Sequence, residues 1–198
     1  IQQEGIAACG KHFPGHGDTS VDSHHDLPVV DHGPDRLRAV EYVPFREAMA
    51  AGVSGIMVAH LLVPAFDERK PASLSRRIVT GELRDGLGFD GLIVTDDLFM
   101  KGCTGRIPVA SAAVDAVIAG HDMLLLCEPQ LDEQAAALEA LVHAVEDGTV
   151  PAAQVERSYA RQLAAKGRFI TDPDDAKRPS VRWRGLIGCD AHQPARGG

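Results

Sequence analysis

The hydrophobic positions of this chain form four short apolar runs, and each run ends in polar residues. The runs are residues 5–10, 53–59, 91–95 and 121–127. Short apolar runs are typical of strands in a parallel sheet that is covered on both faces. The polar residues that follow begin at Lys11, His60, Asp96 and Glu128. We therefore predict four strands, each with a polar loop at its carboxyl end.

Helical spacing of apolar residues separates these runs. The predicted helical regions are residues 36–51, 75–88, 109–119, 131–147 and 151–166. Pro44 fits the first turn of a helix, and Ser75 is a suitable N-cap for the next one. The repeating strand and helix order predicts an α/β fold with a parallel sheet and helices outside it. Residues 171–198 show no periodicity, so we expect a folded domain over 1–170 and an irregular tail.

Composition narrows the function classes. The chain has 198 residues, 44% of them hydrophobic, and a net charge of −8. This acidic balance, with no basic stripe, argues against nucleic-acid and anionic-membrane partners and favours a small neutral or polar substrate. The four cysteines are widely spaced, which indicates neither a zinc knuckle nor a disulfide framework. We expect Cys9 and Cys127 to be buried, because both lie in apolar runs.

Two polar clusters carry candidate chemistry. The first is residues 11–18, KHFPGHGD, followed by DSH at residues 22–24. The second is TDDLFM at residues 95–100, directly after the third apolar run. In α/β barrels, the active site lies at the carboxyl ends of the strands, where the nucleophile of a retaining glycosidase is a carboxylate. The residues leave an alternative, in which Asp96 or Asp97 is only the N-cap of the next helix.

Other interpretations of the same residues stay open. The five histidines between His12 and His32, with nearby aspartates, could hold a metal, although their spacing is irregular. His60 either lines the pocket or is a structural histidine. His121 and His143 lie away from the predicted loops and are interpreted as structural, and Asp97 as a supporting residue.

Three motifs in order carry a resemblance to a known family. They are residues 11–19 with 22–24, the PASLS of residues 71–75, and GFDG at 88–91 leading into TDDLFM. Across residues 5 to 170 the chain resembles glycoside hydrolase family three, in its β-N-acetylglucosaminidase branch. The resemblance implies a (β/α)8 TIM barrel in which the KHFPGHGD motif follows the fifth strand. Four strands counted from there would be strands 5 to 8, so the chain is expected to be the C-terminal half only, too short to close a barrel.

The resemblance also implies roles for individual residues. Asp96 matches the catalytic nucleophile, which forms a covalent glycosyl-enzyme. His24 matches the general acid/base, paired with Asp22, an arrangement that holds the imidazole in one tautomer. Lys11 and His12 match residues that hydrogen-bond the sugar hydroxyls. No cofactor and no metal are expected.

Two main hypotheses follow. The first is a retaining β-N-acetylhexosaminidase that removes terminal β-linked N-acetylglucosamine from glycans such as peptidoglycan fragments. The second is a catalytically silent half-barrel that would self-associate through its exposed interior. A phosphorolytic variant and a metal-dependent hydrolase remain as lesser alternatives. Localisation stays undecided, with the cytoplasm slightly favoured over secretion, because no signal peptide is visible and an upstream segment is expected to be missing.

Overall fold

A computed structural model describes residues 1–16, 27–105 and 107–170. The predicted tail, residues 171–198, lies outside the described residues, as do Asp22 and His24. The strands are β1 (Cys9–Phe13), β2 (Gly55–Val58), β3 (Leu92–Asp97) and β4 (Met123–Leu125). The α-helices are α1 (Pro34–Arg36), α2 (Val43–Ala50), α3 (Lys101–Thr104), α4 (Val109–Ala119), α5 (Leu131–Glu146) and α6 (Ala152–Phe169). Two π-helices span Leu37–Glu41 and Arg77–Gly86, and two 3₁₀ helices span Gln2–Glu4 and Ala72–Leu74.

The four strands form one sheet in the order β1-β2-β3-β4, and every neighbouring pair is parallel. Helical segments connect successive strands, as parallel pairing requires. The prediction of an α/β fold with a parallel sheet is therefore confirmed. No helix in the described part of the chain is long and apolar enough to cross a membrane.

The two faces of the sheet differ in burial. Ile56, Val58 and Ile93 are fully buried and belong to the main hydrophobic core. Side chains alternate along a strand, so their neighbours point to the opposite face. There Met57 and Val94, which pair across β2 and β3, are only partly buried, and Met123, which pairs with Val94, is 39% exposed. We call this second side the open face of the sheet.

The position of the first strand corrects a prediction. The apolar run of residues 5–10 was expected to form a strand with Lys11 and His12 in the loop after it. Instead β1 includes both polar residues, while Ile6 is 61% exposed. Phe13 explains the shift, because its ring is fully buried against the rings of Tyr42 and Phe45, at centroid distances of 5.0 and 5.2 Å. Packing of this one residue places the strand in the polar run.

Both cysteine predictions and one cap prediction are also wrong. Cys9 and Cys127 are exposed, Cys9 on the open face of β1 and Cys127 just beyond β4. The Ser75 hydroxyl donates to Asp67 Oδ2 at 2.7 Å and caps no helix. The helix that follows begins at Arg77, and the Ser75 carbonyl accepts from the amide of Val79 at 2.9 Å.

Helix α6 is held to the sheet by a buried carboxylate. Asp122, just before β4, accepts from Arg84 at 2.6 Å, from the Ile93 amide at 2.9 Å and from Ser158 at 2.8 Å. Arg161 of α6 lies 3.2 Å from the same carboxylate, whose side chain is 1% exposed. The network ties the Arg77–Gly86 helix, β3 and α6 together at the amino ends of the strands.

Candidate active site

The carboxyl edge of the sheet brings together residues from two predicted clusters. Asp96 lies near the end of β3, and its Oδ2 is 3.6 Å from Nε2 of His12 in β1. The side chains are 18% and 29% exposed, so solvent and a ligand can reach both. Parallel strands end at the same edge, which explains how residues 84 positions apart in the sequence meet. The arrangement places a carboxylate beside an imidazole in an accessible position.

Hydrogen bonds distinguish the two oxygens of Asp96. Oδ1 accepts from the backbone amide of Asp97 at 2.9 Å, while Oδ2 faces His12. A carboxylate oxygen with an amide donor is oriented by it, and the second oxygen is directed accordingly. Asp96 is thus suited to act through Oδ2, either as a nucleophile or as a hydrogen-bond acceptor.

The residues on each side of Asp96 accept hydrogen bonds from backbone amides, two of which lie at the end of β4 or just beyond it. Asp97 Oδ1 accepts from the amides of Phe99 and Cys127, at 3.2 and 3.0 Å. The Thr95 hydroxyl accepts from the Leu125 amide at 3.0 Å. These bonds replace regular pairing where the register between β3 and β4 shifts. The interpretation of Asp97 as a supporting residue agrees with this geometry, and helix α3 has no side-chain N-cap, from Asp96, Asp97 or any other residue.

Lys11 and His12 lie next to each other at the end of β1. Lys11 is exposed, and His12 is partly buried. The peptide bonds Lys11–His12 and Phe13–Pro14 are both cis. Lys11 and His12 both line a cavity with His16 and Glu41 on its wall, and His12 also lies 3.6 Å from Asp96. Cationic and imidazole donors beside a carboxylate suit a polyhydroxylated ligand.

The predicted acid/base pair lies outside the described residues. His24 and Asp22 both fall in residues 17–26, so their pairing and their distance from Asp96 stay predictions. Of the residues that the structure does describe, no group of three or more His, Cys, Asp or Glu could hold a metal ion. His24 and His25, which belong to the metal alternative, lie outside the described residues.

His60 does not line the site. It is fully buried, with Nδ1 2.6 Å from the Ser73 hydroxyl and Nε2 2.9 Å from the Asp97 carbonyl. Burial disfavours the charged imidazole and lowers the pKa of His60. The structural interpretation of His60 therefore agrees with the structure, and so does that of His121, which is buried and bonds the Ser73 carbonyl at 2.8 Å. His143 is exposed on α5, near Glu146.

Sequence reasoning missed the contacts of His60, Thr95 and Ser73. Each bond joins segments that are far apart in the sequence, and no local pattern signals such a bond. The position of His60 at the end of an apolar run was the one available signal, and it indicated a place near the carboxyl edge but no partner.

Comparisons with known proteins relate this arrangement to one family. Residues 1–165 match the family model described as the glycosyl hydrolase family 3 N terminal domain. A β-hexosaminidase of Bordetella pertussis is 39% identical over 153 residues, which are 77% of this chain and 41% of that protein. A β-hexosaminidase of Thioalkalivibrio sulfidiphilus is 40% identical over 177 residues, 88% of this chain and 49% of that protein. The chain therefore spans less than half the length of these two relatives.

Solved structures agree with this relationship. A glycoside hydrolase family 3 β-N-acetylglucosaminidase from Paenibacillus sp. is 48% identical, with a TM-score of 0.83 over 85% of this chain and 32% of that one. A β-glucoside phosphorylase is 26% identical, with a TM-score of 0.79 over 91% of this chain and 33% of that one. The matching family model describes an N-terminal domain, so the match does not support the description of this chain as a C-terminal half.

Proposed function

Because this chain belongs to glycosyl hydrolase family 3, whose N-terminal domain has a TIM-barrel-like α/β fold, we propose that it carries the reaction centre of a retaining β-N-acetylhexosaminidase. The substrate class is a glycan with terminal β-linked N-acetylglucosamine, and no cofactor takes part. The observation that carries the proposal is the Asp96 carboxylate, whose Oδ2 lies 3.6 Å from His12 Nε2 at the carboxyl edge of the sheet. Relatives with the name β-hexosaminidase support the choice of sugar.

The proposed reaction is a double displacement. Asp96 Oδ2 attacks the anomeric carbon and forms a covalent glycosyl-enzyme, while Oδ1 stays bonded to the Asp97 amide. Lys11 and His12 hydrogen-bond the sugar hydroxyls and hold the anomeric carbon near Oδ2. His24, oriented by Asp22, donates a proton to the leaving oxygen as the glycosidic bond breaks. It then removes a proton from the water that attacks the anomeric carbon, which breaks the bond to Asp96 and frees the carboxylate.

We further propose that β1 to β4 are strands 5 to 8 of an eight-stranded barrel, within a domain over 1–170. Three observations support this assignment: the sequential parallel order of the strands, the half-buried open face, and the coverage of 41% and 49% of two relatives. The inward-facing side chains of the other strands would fill the barrel interior and cover Val94 and Met123. In this assignment, the chain would be the C-terminal half of the barrel and not of the whole protein.

The first experiment is hydrolysis of 4-nitrophenyl N-acetyl-β-glucosaminide by the 198-residue chain. We expect Asp96→Asn to lower kcat by about 10⁴-fold or more, the scale seen when a nucleophile is removed. Asp132→Asn, an exposed aspartate in the first turn of α5, is the matched control and should keep full activity. Retained activity in Asp96→Asn would refute the proposed nucleophile.

Further arms of the assay separate the alternatives. Dialysis against a chelator should leave the activity unchanged, and a loss would favour a metal-dependent hydrolase. Added inorganic phosphate should not yield a sugar phosphate, whereas its formation would favour phosphorolysis, the reaction for which one structural relative is named. A folded and soluble chain without activity would favour the silent half-barrel.

A further inference from the structure

His60 is connected to the end of β3 by a hydrogen bond of defined direction. The Asp97 carbonyl can only accept, so the proton on Nε2 of His60 must point at it across 2.9 Å. In a neutral imidazole the other nitrogen then lacks a proton, and Nδ1 accepts from the Ser73 hydroxyl at 2.6 Å. Both ring nitrogens are therefore satisfied in a single tautomer.

Ser73 is itself held on two sides. Its amide donates to the Ala59 carbonyl at 3.2 Å, and its carbonyl accepts from His121 Nε2 at 2.8 Å. Ser73 and His60 are both fully buried, so water does not compete for these bonds. Burial also lowers the pKa of His60, which keeps the ring neutral and the tautomer unchanged near neutral pH.

Asp97 links this buried chain to the reaction centre. Its carbonyl accepts from His60, its side chain accepts from the Cys127 amide, and its own amide donates to Asp96 Oδ1. A residue fixed at its carbonyl and at its side chain cannot easily rotate its amide. The direction of the Asp96 carboxylate therefore depends on groups that do not touch the substrate.

We propose that His60 is a positioning residue for Asp96, which acts by holding the Asp97 carbonyl so that the Asp97 amide orients the carboxylate. This inference rests on the proposed role of Asp96 as nucleophile. A neutral imidazole suits the position, because an imidazolium at the same place would stabilise the carboxylate charge and weaken it as a nucleophile. Ser73 contributes by selecting the tautomer.

The kinetic test compares three variants. His60→Leu keeps the volume and removes the donor, and we expect kcat to fall about 10- to 100-fold with KM within about threefold, since small displacements of reacting groups cost this much. His60→Gln keeps an N–H donor and should recover most of the lost kcat. Val79→Ala removes buried volume from the Arg77–Gly86 helix and is the control for lost stability alone. Unchanged kcat in His60→Leu would overturn the proposal.

A second measurement needs no turnover. Amide hydrogen exchange compares Asp97 with Ile93, a residue of the same strand. The Ile93 amide donates to Asp122 Oδ2 and does not contact His60. In His60→Leu we expect Asp97 exchange to accelerate about tenfold more than Ile93 exchange, because the loss of order is local. Equal acceleration of the two amides, or none, would show a merely structural role. Activity retained in Asp96→Asn would instead refute the proposed function. The exchange result would still show whether His60 orders the Asp97 amide, because it does not depend on turnover.

Discussion

Thr95, Asp96 and Asp97 are adjacent in the sequence, but the hydrogen bonding of Asp96 differs from that of its two neighbours. Thr95 and Asp97 accept from backbone amides near the end of β4, while Asp96 Oδ2 faces the His12 ring. Alternation along the strand does not explain this difference alone, since the register between β3 and β4 also shifts here. The two flanking residues thus hold the strand ends together, while Oδ2 of the middle carboxylate faces the accessible His12 ring.

The sequence could predict that Asp96 and His12 lie at the carboxyl edge of the sheet, because both belong to polar clusters that follow apolar runs; their roles in a reaction stay predictions. Their contact agrees with the rule that parallel strands share a carboxyl edge. The supporting bonds of Asp97 and His60 could not be predicted. They depend on the exact register of β3 and β4 and on the path of the chain near Ser73, and neither leaves a periodic signal.

His121 makes stability depend on pH. Complete burial lowers its pKa to about 3, whereas the unfolded residue titrates near 6.5. Below about pH 6.5, His121 is therefore protonated in the unfolded chain but stays neutral in the folded chain. The free energy of unfolding then falls as the pH decreases toward 3. His60, whose pKa burial also lowers, acts in the same direction.

We expect His121→Gln to weaken this pH dependence, because its amide can still donate to the Ser73 carbonyl but does not titrate. The measurement is the urea midpoint of each protein at about pH 7.5 and about pH 5, chosen to bracket the ordinary histidine pKa. His143→Gln is the control, since His143 is exposed on α5. An identical fall in midpoint for His121→Gln and the unaltered chain would contradict the explanation.

At the scale of elements, the strands differ in how well their apolar runs predict them. Runs 53–59 and 91–95 contain β2 and most of β3, the inner strands, which are flanked on both sides. The run of residues 5–10 misplaces β1, because an edge strand needs one buried anchor, here Phe13, and tolerates polar residues such as Lys11 elsewhere. Run 121–127 does contain the other edge strand, β4, so an edge position alone does not misplace a strand. The prediction fails for β1 because its buried anchor, Phe13, lies beyond the apolar run.

Helix α6 provides a prediction at this scale, because one carboxylate connects it to the sheet. Asp122→Ala would leave the guanidinium groups of Arg84 and Arg161 without their shared acceptor, and Ser158 without its partner. Breaking a buried pair from one side typically costs about 3–5 kcal/mol. We expect a loss of that size in the free energy of unfolding, measured by urea denaturation.

The matched control for Asp122 is Asp115→Ala. Asp115 lies 3.0 Å from Lys70 Nζ, but the two side chains are 31% and 45% exposed. Pairs of this kind contribute less than about 1 kcal/mol. If the two substitutions destabilised the chain equally, the Asp122 network would not be the connection that holds α6.

At the scale of the whole molecule, the open face of the sheet is the unusual feature. Met57, Val94 and Met123 lie on it, and β1 and β4 each pair with one neighbour among the described residues. Exposed apolar surface next to unpaired strand edges promotes association between chains. In the proposed barrel, the other four strands would remove both the exposed surface and the free edges.

We therefore expect the 198-residue chain, when produced alone, to self-associate through this face. Size-exclusion chromatography at several dilutions should show a concentration-dependent oligomer. Val94→Lys places a charge on the face and should shift the distribution toward the monomer, because burying an unpaired ammonium is strongly unfavourable. Leu131→Lys is the control, since Leu131 is equally apolar and 73% exposed but begins helix α5, away from the sheet. A monomer at every concentration would show that the open face does not drive association, and equal shifts in both variants would show that association does not depend on this face.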